Sequence, residues 1–464
     1  MSISRRFFLK QAGAITLGFT GLQSIMVASG GFSSRFAAQP ESGGYGPLKR
    51  DPDGIFDLPE GFRYTIISRH GETMDDGLRL PHRPDGMAAF PGSNGRTVLI
   101  RNHEVSAGAD PEEGPFDGRP SNLLSQIPAS SIYDPGRGTP ALGGTTNLVY
   151  DTRRQEVISQ HLSLAGTIRN CAGGPTPWNT WITCEETVQR ADDRHEVDHG
   201  YVFEVTAHEE PRLVHPVPIK SMGRFNHEAV AVDPDSGVIY LTEDRGDGLL
   251  YRWIPNRPGD LLAGGRLQAL VVRDHASMDT RNWGDGPDLV PGDRFEVTWM
   301  DLENIDAPDD DLRLRGFDQG ATRFARGEGM WFGNGAVYFA CTNGGDARKG
   351  QIWSYTPSPN EGTSREEEQP GVLELFVEPN DATVIENADN LTVSPWGDLI
   401  VCEDGSGEQY LVGVTPEGEL YKFGRNAMNG SELAGATFSP DGSTLFFNIM
   451  SGLTLAVTGP WKSA

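Results

Sequence analysis

One pattern recurs six times along this chain and limits what it can become. It is a short apolar strand, a glycine-containing turn, a second apolar strand, and then polar residues. The copies are "PDGMAAFPGSNGRTVLIRNHE" (84–104), "NCAGGPTPWNTWITCEE" (170–186) and "RFNHEAVAVDPDSGVIYLTEDRGDG" (224–248). Then come "RGEGMWFGNGAVYFACTNGGD" (326–346), "ENADNLTVSPWGDLIVCEDGSG" (386–407) and "AGATFSPDGSTLFFNIMSG" (434–452). Further strand candidates such as "TTNLVYD", "GYVFEVT", "GLLYRWIP", "QIWSYTP" and "GELYKF" lie between them. With 58 glycines and 32 prolines spread over 464 residues, the composition is that of a turn-rich all-β chain.

Six hairpins with extra strands between them predict an irregular six-bladed β-propeller with insertions. The longest insertion, "PDLVPGDRFEVTWMDLENIDAPDDD", separates the third and fourth copies. A pair of β-sandwiches would also contain many short strands. The propeller is preferred because polar residues recur at matching ends of the copies. In a propeller the innermost strands line one channel, so equivalent hairpin ends meet at one mouth.

The N-terminal "SRRFFLKQAGAITLGFTGLQSIMVASG" pairs Arg5 and Arg6 ahead of Phe-Phe-Leu-Lys and a weakly apolar run. That is the layout of a twin-arginine export signal. It predicts a signal and flexible segment over 1–38, a single domain over 39–464, and the twin-arginine machinery as a partner. It also predicts a periplasmic or secreted location, reached already folded with metal inserted. Gly and Gln interrupt the apolar run, so no stable membrane anchor is expected. The net charge of −26 argues against nucleic acid as a partner and suits a protein that holds hard cations.

Cys171, Cys184, Cys341 and Cys402 are too few for a disulfide framework and have no zinc-site spacing. Cys171 and Cys184 open and close one hairpin, so a disulfide and a metal-ligand role both stay open for Cys171. The first strands are entered by Asp85, Cys171, Glu228, Arg326 with Glu328, and Asp389 with Asn390. The second strands leave through Glu104, Glu185 with Glu186, Glu243 with Asp244, Asn343, and Glu403 with Asp404. Carboxylates crowded into one mouth repel one another unless cations neutralise them. Oxygen donors suit Ca²⁺, and a thiolate suits a softer metal such as iron or zinc. Any single acid here could instead be a solvated loop residue, and His103 and His227 could be packed, hydrogen-bonded histidines. Arg326 and Glu328, two apart on a strand, share a face, which reads as a salt bridge or as an anion-binding guanidinium beside metals.

The segments "LPEGFRY", "PDGMAAFPG", "RNHE", "NCAGGPTPWNTWITCEE", "FNHEAVAVDP", "YLTEDR", "RGEGMWF" and "DNLTVSPWGDLIVCEDG" occur in that order between Leu58 and Asn448. Together they resemble the PhoX-type alkaline phosphatases. The resemblance implies a monomeric, twin-arginine-exported hydrolase of small phosphate monoesters, with Fe³⁺ and Ca²⁺ ions joined by an oxo group. It implies Cys171, Glu228 and Glu328 as metal ligands and Arg326 as the phosphate-contacting residue. Glu104, Glu185, Glu243 and Asp389 are carried into the ligand set as equivalent mouth positions. The family's phosphate-binding lysine has no counterpart in "HLSLAGTIRN", and Arg169 or Arg245 is the expected second cation. The alternatives are a calcium-dependent propeller hydrolase of another class, a lactonase or phosphotriesterase, and a non-catalytic propeller braced by metal.

Overall fold

Each of the six recurrent segments forms an antiparallel hairpin, in the order the apolar runs predict. Their strands are Pro84–Pro91 with Arg96–His103, Asn170–Pro175 with Thr180–Glu185, and His227–Val232 with Ile239–Glu243. Next are Gly327–Gly333 with Ala336–Cys341, Ala388–Val393 with Leu399–Glu403, and Leu433–Phe438 with Leu445–Ile449. The third hairpin shows why the turns form. Gly237 takes φ +74° and donates its amide to the Asp233 carbonyl, while the Asp233 carboxylate accepts from Asp235 and Ser236.

The computed structural model describes residues 44–116, 124–284 and 287–462, all within one compact unit, Gly43–Ala464. The twin-arginine segment lies outside the described residues. No helix among those described is long and apolar enough to cross a membrane.

The strands are all antiparallel neighbours, yet they do not build six separate blades. Four sheets, of three to six strands, are founded on the first, second, fifth and sixth hairpins and stand in a propeller-like arrangement. The third and fourth hairpins instead occupy the two ends of a single nine-strand path. The expectation of a six-bladed propeller is corrected on this point. The cause is the long insertion: its strand Arg294–Asp301 pairs with Gly265–Val272 on one side and Val372–Val377 on the other. An edge that would have separated two blades is thereby bonded. The path nearly closes, because its end strands His227–Val232 and Gly327–Gly333 return to lie side by side.

The six first strands nonetheless adjoin one another in sequence, the sixth beside the first. Strand Arg63–Arg69 pairs with Leu453–Thr458, tying the start of the described chain to its end. Apolar side chains fill the spaces between sheets, with Trp181, Trp253 and Trp353 among the largest fully buried.

Candidate metal centre and active site

Every first strand carries a β-bulge at the same place, two residues facing one on its partner. Asp85 and Gly86 lie between the pairs Pro84–His103 and Met87–Arg101. Cys171–Ala172, Glu228–Ala229, Glu328–Gly329, Asp389–Asn390 and Gly435–Ala436 occupy the corresponding gaps. A bulge bends its strand and re-aims a side chain. With the first strands side by side, Asp85, Cys171, Glu228, Glu328 and Asp389 become equivalent positions around one mouth. Glycine fills the sixth position. A Cβ on Gly435 would lie 2.3 Å from the Asp85 carbonyl oxygen, and its φ is +64°.

Two groups of donors close to within ligand-sharing distance. One atom each of Cys171, Glu186 and Glu228 lie within 4.8 Å of one another, as do atoms of Glu228, Glu328 and Asp389. Glu228 belongs to both, so five residues from four hairpins form one continuous cluster. Burial, and then Glu186 and Asp389 beside it, holds the Glu228 carboxyl well above the usual carboxylate range. Burial, followed by Asp244 and Asp389, does the same to Glu328. The Cys171 thiol is pushed far up by burial and by Glu228 and Glu186. Asp389 Oδ1 is buried with no hydrogen-bond partner among the described residues. Sulfur and oxygen donors this close, offset only in part by Arg169 on Glu186 and Arg326 on Glu328, fit bound cations, whose charge reverses the sign of these shifts. All four cysteines carry free thiols, and Cys171 Sγ sits 3.4 Å from the His227 carbonyl oxygen, so no disulfide engages it.

The sequence-predicted set divides by strand parity. Glu185 and Glu243 end their second strands and turn into the spaces between strands. Glu185 accepts from His199 Nδ1 at 2.7 Å and from the amides of Ile168 and Gly200 at 3.0 and 2.9 Å. Glu243 accepts from the Tyr251 hydroxyl at 2.6 Å, and burial lifts its pKa to about 7. The structure does not bring either of them into the cluster. The residues one step later, Glu186 and Asp244, face the mouth instead, because successive strand side chains point to opposite sides. Glu104, already in that phase, is held between Arg83 (3.1 Å) and Arg169 (2.8 Å), beside the cluster but outside both donor groups. Glu432, just before the sixth first strand, is a mouth acid that sequence inspection missed. Burial and then Asp404 raise its pKa to about 10. Its only signal is position, in the step preceding a strand, where Arg83, Arg169 and Arg326 also stand.

Those three arginines share a further mark: each adopts a left-handed backbone, φ 50–51°. Arg326, like Arg169 between Glu104 and Glu186, is held by two acids. Its Nε and Nη2 meet Asp244 at 2.7 and 2.9 Å, and Nη2 reaches Glu328 Oε1 at 2.8 Å. His103 and His227 are buried and neutral. Desolvation lowers both, His227 to about 3, and their ring nitrogens lie against His82, Thr146 and Gly223.

An all-β scaffold whose strand bulges bring a thiol and three carboxylates to one mouth, with Glu186 and the Arg326 guanidinium beside them, presents the donor set of a metal site. The chain belongs to the PhoX alkaline phosphatase family, whose model matches residues 43–452, and so is a phosphoric monoester hydrolase by family. Among solved structures it is similar to Pseudomonas fluorescens PhoX in complex with vanadate, a transition-state analogue. Identity is 19% over 88% of this chain and 96% of that one, with a TM-score of 0.63, which shows a shared fold. A gluconolactonase from Xanthomonas campestris aligns at 11% identity over 91% of this chain and 99% of its own, with a TM-score of 0.42. Comparison with curated protein sequences gives no match.

Proposed function

We propose that the protein is an exported phosphatase that hydrolyses small phosphate monoesters at this mouth as a monomer, with ferric iron and calcium as its ions. Cys171, Glu186, Glu228, Glu328 and Asp389 would hold them. The observation that carries the reading is the donor set itself: one thiol and four carboxylates joined through Glu228, with a guanidinium on Glu328. The sulfur favours iron and the carboxylate oxygens favour calcium. When bound, the cations polarise the phosphoryl group and offset the charge that gathers on its oxygens.

The chain's own residues do the rest. Asp244 grips Arg326 through two nitrogens and Glu328 through one, fixing the guanidinium plane. Its Nη1 makes no hydrogen bond among the described residues and is free to donate to the non-bridging phosphoryl oxygens. Glu228 ties the two donor groups together; bulges hold Cys171, Glu228, Glu328 and Asp389 on rigid strands, and Glu186 stands just past the end of its strand. The vanadate bound by the Pseudomonas fluorescens protein supports a phosphoryl group as the species received. Paired Arg5 and Arg6 support export in the folded state, to the periplasm or beyond.

The test is elemental analysis of protein exported by its own signal, with hydrolysis of p-nitrophenyl phosphate assayed with and without calcium. Iron and calcium in the protein and calcium-dependent turnover are expected. Metal-replete protein without turnover would refute the reading.

A further inference from the structure

A second cationic feature flanks the mouth and has no part in the chemistry above. Trp283 lies between two guanidiniums, with Arg281 and Arg348 each 4.3 Å from its ring. Arg281 is fully engaged, bonded to both oxygens of Asp279 and, through Nη1, to the Gly246 carbonyl at 2.9 Å. Arg348 is exposed, and among the described residues no carboxylate pairs with it. In a chain with 65 acidic residues against 39 Lys and Arg, an exposed guanidinium without a carboxylate partner among the described residues is not what charge crowding alone produces.

The placement is tied to the active site by hydrogen bonds. Trp283 Nε1 donates to the Asn343 carbonyl at 2.8 Å, and the amide of the preceding Thr342 donates to the Arg326 carbonyl at 3.0 Å. Gly246, the anchor of Arg281, follows Asp244 by two residues, and Arg245 accepts the Arg326 amide. On the other side, Asn387 Nδ2 reaches the carbonyls of Thr342 and Arg348 at 2.7 and 3.3 Å, and Asn387 stands two residues before Asp389. The Arg348 backbone is therefore on the order of 10 Å from the donor cluster. Between them, the Thr342 hydroxyl and Asn343 Oδ1 are buried without hydrogen-bond partners among the described residues.

We propose that Arg348, braced on Trp283, binds a second anionic group carried by the leaving alcohol of the phosphate ester. The preferred substrates are then monoesters with a further phosphate or carboxylate at the far end of the leaving alcohol. Stacking fixes the guanidinium before the ligand arrives, so little side-chain entropy is lost on binding. The inference rests on the phosphatase reading of the neighbouring site.

The test compares fructose 1,6-bisphosphate with p-nitrophenyl phosphate, whose leaving group bears no second anion. Arg348→Ala should raise KM for the bisphosphate about tenfold with kcat within about twofold, and leave both constants for p-nitrophenyl phosphate unchanged. Arg348→Glu should weaken the bisphosphate further. Equal effects on both esters, or none on either, would overturn the subsite while leaving the phosphatase reading in place. No turnover of either ester by the unaltered, metal-replete protein would overturn the phosphatase reading and the subsite together.

Discussion

Arg326 and Asp244 form a two-pronged ion pair, Nε and Nη2 on the two carboxylate oxygens at 2.7 and 2.9 Å. The pair crosses between the third and fourth hairpins and aims the guanidinium at Glu328, a proposed metal ligand. Asp244 is thus a positioning residue. Asp244→Asn should lower kcat/KM for p-nitrophenyl phosphate about tenfold with iron content unchanged, while Arg326→Ala should cost about a hundredfold. Steady-state kinetics with metal analysis separate the two. Arg326→Ala at full activity would remove it from the mechanism.

Cys171 supplies the only sulfur in the cluster. Cys171→Ala should lose iron and activity together, read by metal analysis and phosphatase assay. Cys171→Asp should recover some metal binding without restoring the native metal preference. Full iron occupancy in Cys171→Ala would end its assignment as a ligand.

Glu185 and Glu186 are chain neighbours with opposite duties. Glu186→Gln should reduce metal content and activity with little change in unfolding of the metal-free protein. Glu185→Gln should do the reverse, destabilising by about 3 kcal/mol because buried His199 keeps only one of its two carboxylate partners. Metal analysis and urea unfolding on both variants check this. The reverse pattern would mean that the strand phase assigned here is wrong.

His199 gives the protein a pH-dependent stability. Burial opposes its charge, yet Glu185 at 2.7 Å and Asp134 at 3.1 Å lift its pKa to about 9. An unfolded histidine titrates near ~6.5. The folded value is the higher one, so the contribution is complete below about pH 6.5 and is lost as pH rises through about 9. Urea midpoints should fall across that window, and His199→Gln should flatten the slope. An unchanged slope in that variant would assign the dependence elsewhere.

Gly329 sits where the fourth and fifth hairpins touch. A Cβ there would lie 2.6 Å from the Asn390 Cα and 2.7 Å from the Asp389 carbonyl oxygen. Gly329→Ala should cost about 2 kcal/mol and push Glu328 and Asp389 apart, lowering metal affinity as well. Thermal unfolding and a calcium titration provide the measurement. A variant with native stability and affinity would show that the contact yields without consequence.

Much of this architecture was legible in one dimension. Alternating apolar runs and Pro/Gly turns located all six hairpins, and the recurrence of acids at their feet located the mouth. Cys171, Glu228, Glu328 and Asp389 were readable because each stands near the foot of the first strand of its repeat, and the structure places each at the second residue of that strand. The choice of Glu185 and Glu243 over Glu186 and Asp244 failed on a single residue of phase. Nothing local distinguishes two adjacent acids at a strand end until the partner strand fixes which one faces inward. The sheet count failed for a different reason: strand Arg294–Asp301 reads as part of an insertion, and only its two neighbours reveal that it joins two hairpins.

What the sequence by itself determined is the strand periodicity, the order of the hairpins, the stock of donors at their tips and membership of a phosphatase family. The tertiary structure decided which donors share a site, which arginine is fixed and which stays open, and that two hairpins found one sheet. The division has a physical cause. Periodicity and turn chemistry act between residues near in the chain, whereas bulge geometry and sheet closure are set by strands brought together from far along it.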